Sequence, residues 1–439
     1  MRAVVVGAGP IGLYSGVALA RAGYEVTIVD RDLGPAPDGT WDRKGVMQFM
    51  HPHFFRSIVH DVFAESAPDL WDAVVGAGGI PASPPGAPPF IVNLQSRRWV
   101  FERALRSAAA DEPGVTLRAG HADRLEQNNG RVSGVVVDGR LVEADVVIDA
   151  SGRSGKLGDD LRAPGEGGSC GFSYVARMYR ARPGVDGMGA VGVPRGQLYD
   201  GYLAILFPQD DDTLSTLIVR RENDRELAEL RHTEAFEAAM RVIPQFAEWT
   251  DPERFEPITE VMPGGGLTNT YRGQLGVDGT PALPGVYWVG DSMSTTNPAA
   301  GRGVSLGLKQ AQALVRMITE DGADPVATSL RFQASCDENI RPWFEDHVYW
   351  DATLLRRFAG EDIDVDAKIP SDVICAAADV DPSIMAGAAP YFGMMAPPAV
   401  LAPYEERARE ILRTGWRPAL ADGPSRDELV AAISERAAV

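Results

Sequence analysis

Cysteine is scarce in this 439-residue chain: Cys170, Cys336 and Cys375 are its only three, an odd number with no C-x-x-C spacing. That argues against a disulfide framework and for buried free thiols in a reducing compartment. Long apolar runs are missing too. No stretch approaches the about 18 residues that a membrane span requires. No signal peptide precedes the first apolar run, which starts at Arg2, so a cytoplasmic location is expected. Positive charge is in deficit: 42 Lys and Arg stand against 61 Asp and Glu, a formal charge of −19. Nucleic acid and anionic membrane surfaces are not attracted to such a chain, and neither is expected as a partner. Internal repeats and low-complexity tails are absent. What remains is ordinary globular composition, 45% hydrophobic and 23% charged, with length for one large core or two to three smaller ones.

The chain is organised around its first thirty residues. Arg2 to Val6 is a short apolar run that ends in Gly7-Ala8-Gly9-Pro10-Ile11-Gly12, a G-x-G-x-x-G. Apolar residues then continue at helical spacing to Ala22, Gly23 stops them, and Glu25 to Asp30 resumes an extended pattern. This is a βαβ opening with a dinucleotide fingerprint. Gly7 permits the tight turn, Gly9 lets the backbone approach a pyrophosphate, and Gly12 lets helix pack on strand. The helix start, with its free N–H groups and positive dipole end, faces the phosphates. Asp30 stands where an acid accepts hydrogen bonds from a ribose with free hydroxyls.

Further along, Phe54 to Val75 reads as one or two helices and Gly79 to Pro89 as a packed loop. Arg97 to about Ala110 is a helix, and Val115 to Arg118 a strand. Arg131–Val137 and Arg140–Ala144 form a hairpin across Asp138-Gly139. Asp145 to Asp149 is an apolar strand. From about 165 to 275 the texture changes to antiparallel strands, Phe172–Arg180, Tyr202–Phe207 and Leu214–Arg220, followed by a helix over Thr233–Ile243. A buried strand returns at Gly285–Asp291 and a long helix at Gly303–Met317. The remainder is largely helical and ends in a capping box at Ser425-Arg426-Asp427-Glu428.

The second constellation is Gly290-Asp291-Ser292-Met293-Ser294-Thr295-Thr296-Asn297-Pro298-Ala299-Ala300-Gly301-Arg302-Gly303. A strand delivers Asp291 to its carboxyl end, and a glycine-rich turn starts a helix at the same place. The carboxylate suits a polyol hydroxyl, and the helix N–H groups suit an electron-rich ring edge. On these residues the chain resembles the flavoprotein monooxygenases of the para-hydroxybenzoate hydroxylase fold. Gly290, Asp291, Pro298 and Gly303 match that family's G-D-x(6)-P-x(4)-G. The resemblance covers about residues 1 to 350 and implies FAD. Asp291 would bind the ribityl chain, and Pro298, Gly301, Gly303, Val304 and Ser305 would lie against the isoalloxazine. Arg98, in R-x-x-F-E, would contact the phosphates, Arg43 would be a second cofactor-contacting arginine, and the Ala122 backbone would touch adenine. With Gly7, Gly9, Pro10, Ile11, Gly12, Asp30 and Arg31 these make the expected FAD-binding set.

Arg43-Lys44-Gly45-Val46 with Gln48, His51 and His53 resembles the R-x-G-V-P-Q-x-x-H-x-H of bacterial members that epoxidise or hydroxylate natural products. Met47 stands where that pattern has proline. Gln48, His51 and Pro298 are the candidates for the catalytic wall near the flavin. Two histidines at strand spacing without a third ligand do not define a metal site, and none is expected. The position three after Asp291, often histidine in the family, is Ser294. Where single-component hydroxylases carry an Asp-Gly pair, this chain has Asp149-Ala150-Ser151-Gly152-Arg153, similar to the styrene monooxygenase, halogenase and isoprenoid-reductase branches. Electrons from NAD(P)H would therefore arrive directly or through a separate flavin reductase. None of the eight tryptophans forms the W-x-W-x-I-P of halogenases.

The expected architecture is α/β. A Rossmann-like FAD-binding domain of the para-hydroxybenzoate hydroxylase type spans 1–164, with an inserted helical segment at 54–95. An antiparallel-sheet substrate domain covers 165–275, the FAD-binding domain returns at 276–320, and a helical C-terminal region covers 321–439. The implied reaction is monooxygenation of an apolar, aromatic or polycyclic small molecule by O₂ through a flavin C4a-hydroperoxide, as hydroxylation or epoxidation, in secondary metabolism. The cofactor carries that chemistry, which accounts for the lack of an obvious acid–base pair. Phe172, Tyr174, Tyr199, Tyr202, Leu203, Ile205 and Phe207 are either pocket or sheet core. An oxygen-independent flavin reductase and a non-catalytic FAD-binding subunit are the alternatives.

Overall fold

β-branched Val4, Val5 and Val6 sit on Arg2–Val6, the central strand of a five-stranded parallel sheet. The computed structural model describes residues 1–189, 194–320 and 324–435. The sheet runs Val286–Trp288, Val146–Asp149, Arg2–Val6, Glu25–Asp30, Val115–Ala119. Helix Pro10–Arg21 packs on it and in turn on helices Arg98–Asp111 and Gly303–Glu320. Strand order reverses at Arg2–Val6: the next strand in sequence lies on one side of it and Val146–Asp149 on the other. The carboxyl ends are level, because Val6 stands opposite both Val29 and Asp149, and Trp288 opposite Asp149. The chain segments that leave these strands therefore emerge along one edge, where open α/β sheets bind ligands.

The hairpin at Asp138-Gly139 is present, both turn residues having positive φ (48° and 74°). It belongs to a three-stranded sheet, because Ala122–Asn128 adds a strand. That strand is polar on both faces and carries no apolar period. The helices after Phe54 are two, Ser57–Ser66 and Pro68–Gly76, divided where Pro68 restarts the helix. The loop expected over Gly79–Pro89 contains a short strand, Ile80–Ala82, paired with Asn93–Gln95.

A six-stranded antiparallel sheet contains Phe172–Ala181, Tyr202–Pro208 and Thr213–Arg221, with Arg195–Tyr199 and Phe255–Pro257 at its ends and Met262–Gly264 also paired to Phe172–Ala181. One face is packed by helix Thr233–Val242 and the final helix Arg426–Ser434, through Phe236, Met240, Leu429 and Ile433. The other face, with Phe172, Tyr174, Phe207 and Leu217, meets Phe54, Leu354 and Phe358. Tyr199 and Tyr202 belong to the first face, their rings stacked 4.9 Å apart, so they are core and not pocket. From 325 to 435 the chain is largely helical, and Ser425 and Glu428 form the expected capping box. The boundary expected at 320/321 falls against residues 321–323, outside the described ones. The three cysteines are buried and free. Among the described residues no helix is long and apolar enough to cross a membrane.

Candidate active site

The two glycine-rich turns converge on one cavity of about 410 Å³, in the size range of small-molecule sites. The glycines of the first turn divide by what surrounds them. A Cβ on Gly7 would lie 2.4 Å from the Ala150 carbonyl oxygen, and one on Gly12 would lie 1.9 Å from that of Gly7. Packing of the protein on itself requires both. At Gly9 a Cβ would meet no atom within 4 Å, and the backbone is in an ordinary extended conformation (φ −80°, ψ 179°). Nothing in the protein demands glycine there, whereas a ligand lying against the backbone does. The helix that follows has no side-chain cap and no acid in its first turn, so its N–H groups remain available to a phosphate.

Pro10, Ile11, Asp30, Arg43 and Arg98 line the same cavity. Asp30 is fixed by the protein: Oδ2 accepts from Ala8 N (2.6 Å) and Arg43 Nη2 (2.7 Å), and Oδ1 from Asp32 N (2.8 Å). Roughly one of a carboxylate's four acceptor positions is left for a ribose hydroxyl. Arg43 and Arg98 share a carboxylate. Glu102, fully buried, accepts from Arg43 Nη1 (2.5 Å) on one oxygen and from Arg98 Nε (2.5 Å) on the other. Glu102 was visible only as the last letter of R-x-x-F-E, four residues after Arg98 and so on the same helix face.

On the other side, Asp291, Pro298, Gly301, Gly303 and Val304 line the cavity. Asp291 is exposed toward it yet ringed by protein atoms. Burial raises its pKa above the usual carboxylate range, with Arg98 and Arg153 opposing the shift. Four expected residues stand back from the cavity wall. Gly12 packs on Gly7, Ser305 is buried in its helix, Ala122 lies on the added strand, and the exposed Arg31 has its guanidinium beside Gly45. The donor set that remains fits FAD: a pyrophosphate cradle at Gly9, cations at Arg98 and Arg153, a carboxylate for polyol hydroxyls, and a helix start for the ring.

Gln48 and His51 are on the wall shared with the six-stranded sheet, beside Tyr174, Phe207 and Leu217. The His51 ring meets Tyr174 edge-on at 5.0 Å, and Gln48 Nε2 donates to the Tyr174 hydroxyl at 3.1 Å. Burial first, and then Arg98, lower His51 to about 4 and His53 to about 3. Both are neutral at pH 7. His53 Nδ1 bonds the His51 carbonyl oxygen (2.9 Å) and its Nε2 the Arg98 guanidinium (3.2 Å), so Nδ1 carries the proton. His51 Nδ1 is buried without a partner. Neither histidine is therefore expected to give a limb near pH 6.5 in kcat/KM. A limb at that pH that vanishes in His51→Asn would contradict this assignment.

A sheet with this order, cradle and second antiparallel sheet is a FAD-binding oxidoreductase fold of the para-hydroxybenzoate hydroxylase type. Residues 3–164 match the family described as FAD dependent oxidoreductase. The protein FixC of Escherichia coli O157:H7 is 25% identical over 325 residues, 70% of this chain and 71% of that one. In fold the chain is similar to a triple mutant of the flavin-dependent brominase Bmp2, at 15% identity over 94% of this chain and 99% of that one (TM-score 0.64). It is likewise similar to PqsL, described as a probable FAD-dependent monooxygenase from Pseudomonas aeruginosa, at 17% identity over 82% and 98% (TM-score 0.60).

Proposed function

We propose that this chain is a FAD-dependent monooxygenase that hydroxylates or epoxidises an apolar or aromatic small molecule, in the manner of the styrene monooxygenase and natural-product epoxidase branches. One observation supports it above the others: the cradle at Gly9 and the apolar wall of Tyr174, Phe207 and Leu217 line a single continuous cavity. When bound, FAD supplies the redox chemistry and the activation of O₂. The chain's own residues bind, orient and keep water out. Asp291 would hold the ribityl hydroxyls, Arg98 would serve the phosphates, and the first N–H groups of Gly303–Glu320 would serve the ring. Phe54, Phe207 and Leu217 exclude water, which limits loss of oxygen as peroxide. Gln48 donates to the Tyr174 oxygen (3.1 Å), and the phenolic hydrogen is turned to the Met47 thioether (3.9 Å), a weak acceptor that a polar group on the substrate would displace. The neutral His51 adds a hydrogen-bonding nitrogen without a charge.

The test is single-turnover oxygen labelling. FAD-loaded protein is reduced anaerobically with NADH, NADPH, an added flavin reductase or dithionite, then mixed with ¹⁸O₂ and a panel of styrenes, indoles and polycyclic alkenes. One ¹⁸O atom in a product is expected. Hydrogen peroxide equal to the O₂ consumed with every substrate, together with substrate turnover in its absence, would replace this reading with a flavin reductase. Which reductant works decides the electron supply.

A further inference from the structure

We infer that Asp351, on helix Arg341–Phe358 of the C-terminal region, is the positioning residue for the flavin-facing segment Asn297–Arg302; the inference rests on the FAD reading above. Pro298, Ala299 and Gly301 present this segment to the cavity, and the αL residue Gly301 turns it into the next helix. Its rear is held from outside the parallel sheet. Asp351, 4% exposed, accepts from Asn297 Nδ2 on Oδ1 (3.0 Å) and from Asn269 Nδ2 on Oδ2 (2.7 Å). Asn269 Oδ1 accepts in turn from Asn297 N (2.7 Å), and Asn297 Oδ1 from Ala299 N (3.1 Å). Every polar atom of this three-residue cluster that faces the segment is used, with one carboxylate as its common acceptor.

Two further ties fix the far end of the segment. Arg56 Nη2 donates to the Ala300 carbonyl (2.7 Å). Arg302, 2% exposed, donates to Asp346 Oδ2 (3.1 Å), and its guanidinium lies 4.6 Å from the Trp343 ring centre and 4.8 Å from that of Tyr391. These ties reach Asn297 and Pro298 only through the segment's own turn bonds, Gly301 N to the Pro298 carbonyl (2.9 Å) and Ala300 N to that of Asn297 (3.4 Å), so from outside the segment the Asn297 end is held by Asp351 and Asn269. Burying a carboxylate is costly unless its ionised form is what the neighbours need. Here both neighbours are amide donors, so protonating one oxygen breaks one of the two bonds. The charged and titratable groups facing Asp351 are Arg302, which favours its ionised form, Asp346, which opposes it, and the Cys170 thiol, whose pKa Asp351 helps to raise. Burial is the largest influence and pushes the carboxyl up to about 6. Above that pH the segment is held at both ends; below it one of the two amide bonds that hold the Asn297 end is lost and that end is loosened.

FAD affinity is measured by quenching of flavin fluorescence between pH 5 and 8 for wild type, Asp351→Asn and Leu429→Ala, the last a remote core change against the other face of the six-stranded sheet. Wild type is expected to bind about tenfold more weakly at pH 5 than at pH 7.5, the scale of one hydrogen bond to a charged group. The midpoint lies near 6. Asp351→Asn is expected to be about tenfold weaker at pH 7.5 and to lack that midpoint. Loss of the midpoint separates Asp351 from Asp149, the other buried carboxyl pushed up to about 6. Leu429→Ala keeps both affinity and midpoint while melting earlier. An Asp351→Asn protein with wild-type affinity and pH profile would overturn the inference. Hydrogen exchange of the wild-type 296–303 peptide needs no variant: protection that is lower at pH 5.5 than at pH 7.5, after correction for intrinsic rates, supports it, and unchanged protection overturns it. Wild type that never binds FAD defeats the FAD reading instead, and the exchange result on that protein still stands for Asp351 alone.

Discussion

Gly9→Val abolishes FAD binding and leaves the apoprotein close to wild-type stability. The backbone at Gly9 already has φ −80° and ψ 179°, a conformation that valine adopts readily. No protein atom lies within 4 Å of the new Cβ, so no internal clash arises. Valine is a poorer helix N-cap than glycine, which costs about 1 kcal/mol at most. The added methyl groups fill the space where a pyrophosphate meets the backbone and the helix start. Displacing the phosphates from those N–H groups is expected to weaken binding by about 100-fold or more, equivalent to ~2.7 kcal/mol. Gly12→Val is the contrast: its Cβ would sit 1.9 Å from the Gly7 carbonyl oxygen, so the apoprotein itself fails. Isothermal titration with FAD and thermal melting of the apoproteins check both. Unaltered FAD affinity in Gly9→Val would mean that no dinucleotide approaches this turn.

The difference between these two glycines also shows which parts of the site a sequence displays. Gly7, Gly9, Gly12, Asp30, Asp291 and Pro298 each act within a few residues of a strand end, so spacing alone brings them to the carboxyl edge of the sheet. Glu102 is half legible, since its motif is local to Arg98 while its bond to Arg43 spans 59 residues. Asn269 and Asp351 meet Asn297 only in the folded chain, and no local pattern marks either of them. Arg153 was visible as a residue of the central motif, but its place on the cavity wall depends on the loop carrying Gly266, whose carbonyl it holds at 2.8 Å.

The aromatic strands fail for a different reason. The inner strands of the six-stranded sheet are buried on both faces, so Tyr202–Pro208 reads as a continuous apolar run and the period of two that would sort its sides is lost. Tyr174 and Phe207 fall on the cavity side, and Tyr199 and Tyr202 behind it against Phe236. The Tyr202 hydroxyl reaches the Pro424 carbonyl at 2.9 Å, a contact set by where the final helix docks. Only tertiary packing decides which face sees the flavin.

Glu102→Ala is expected to cost the apoprotein about 3–5 kcal/mol, because it removes the buried acceptor of two guanidiniums at once. Arg43 is 5% exposed and keeps Asp30, while Arg98 is left hydrogen-bonded to the neutral His53. A third guanidinium, Arg106, is packed close by, with Nη1 buried and unpartnered and its pKa held down by burial. Without Glu102 the Arg43 and Arg106 guanidiniums face Asp30 and Asp32, and Arg98 faces Asp291 across the cavity, with no carboxylate between them. Glu102→Gln keeps the shape and one acceptor oxygen, so its cost is expected to be about 1.5–3 kcal/mol, the worth of a hydrogen bond to a charged group. Urea unfolding of both variants tests this ordering. Losses that are equal and below about 1 kcal/mol would mean that the arginines find new partners. Asp32 is the nearest, its Oδ2 standing 3.7 Å from Arg43 Nε. In that case Asp30, freed from part of its tie to Arg43, would turn toward the cavity, and FAD affinity would rise in Glu102→Gln where the buried-bridge account has it fall.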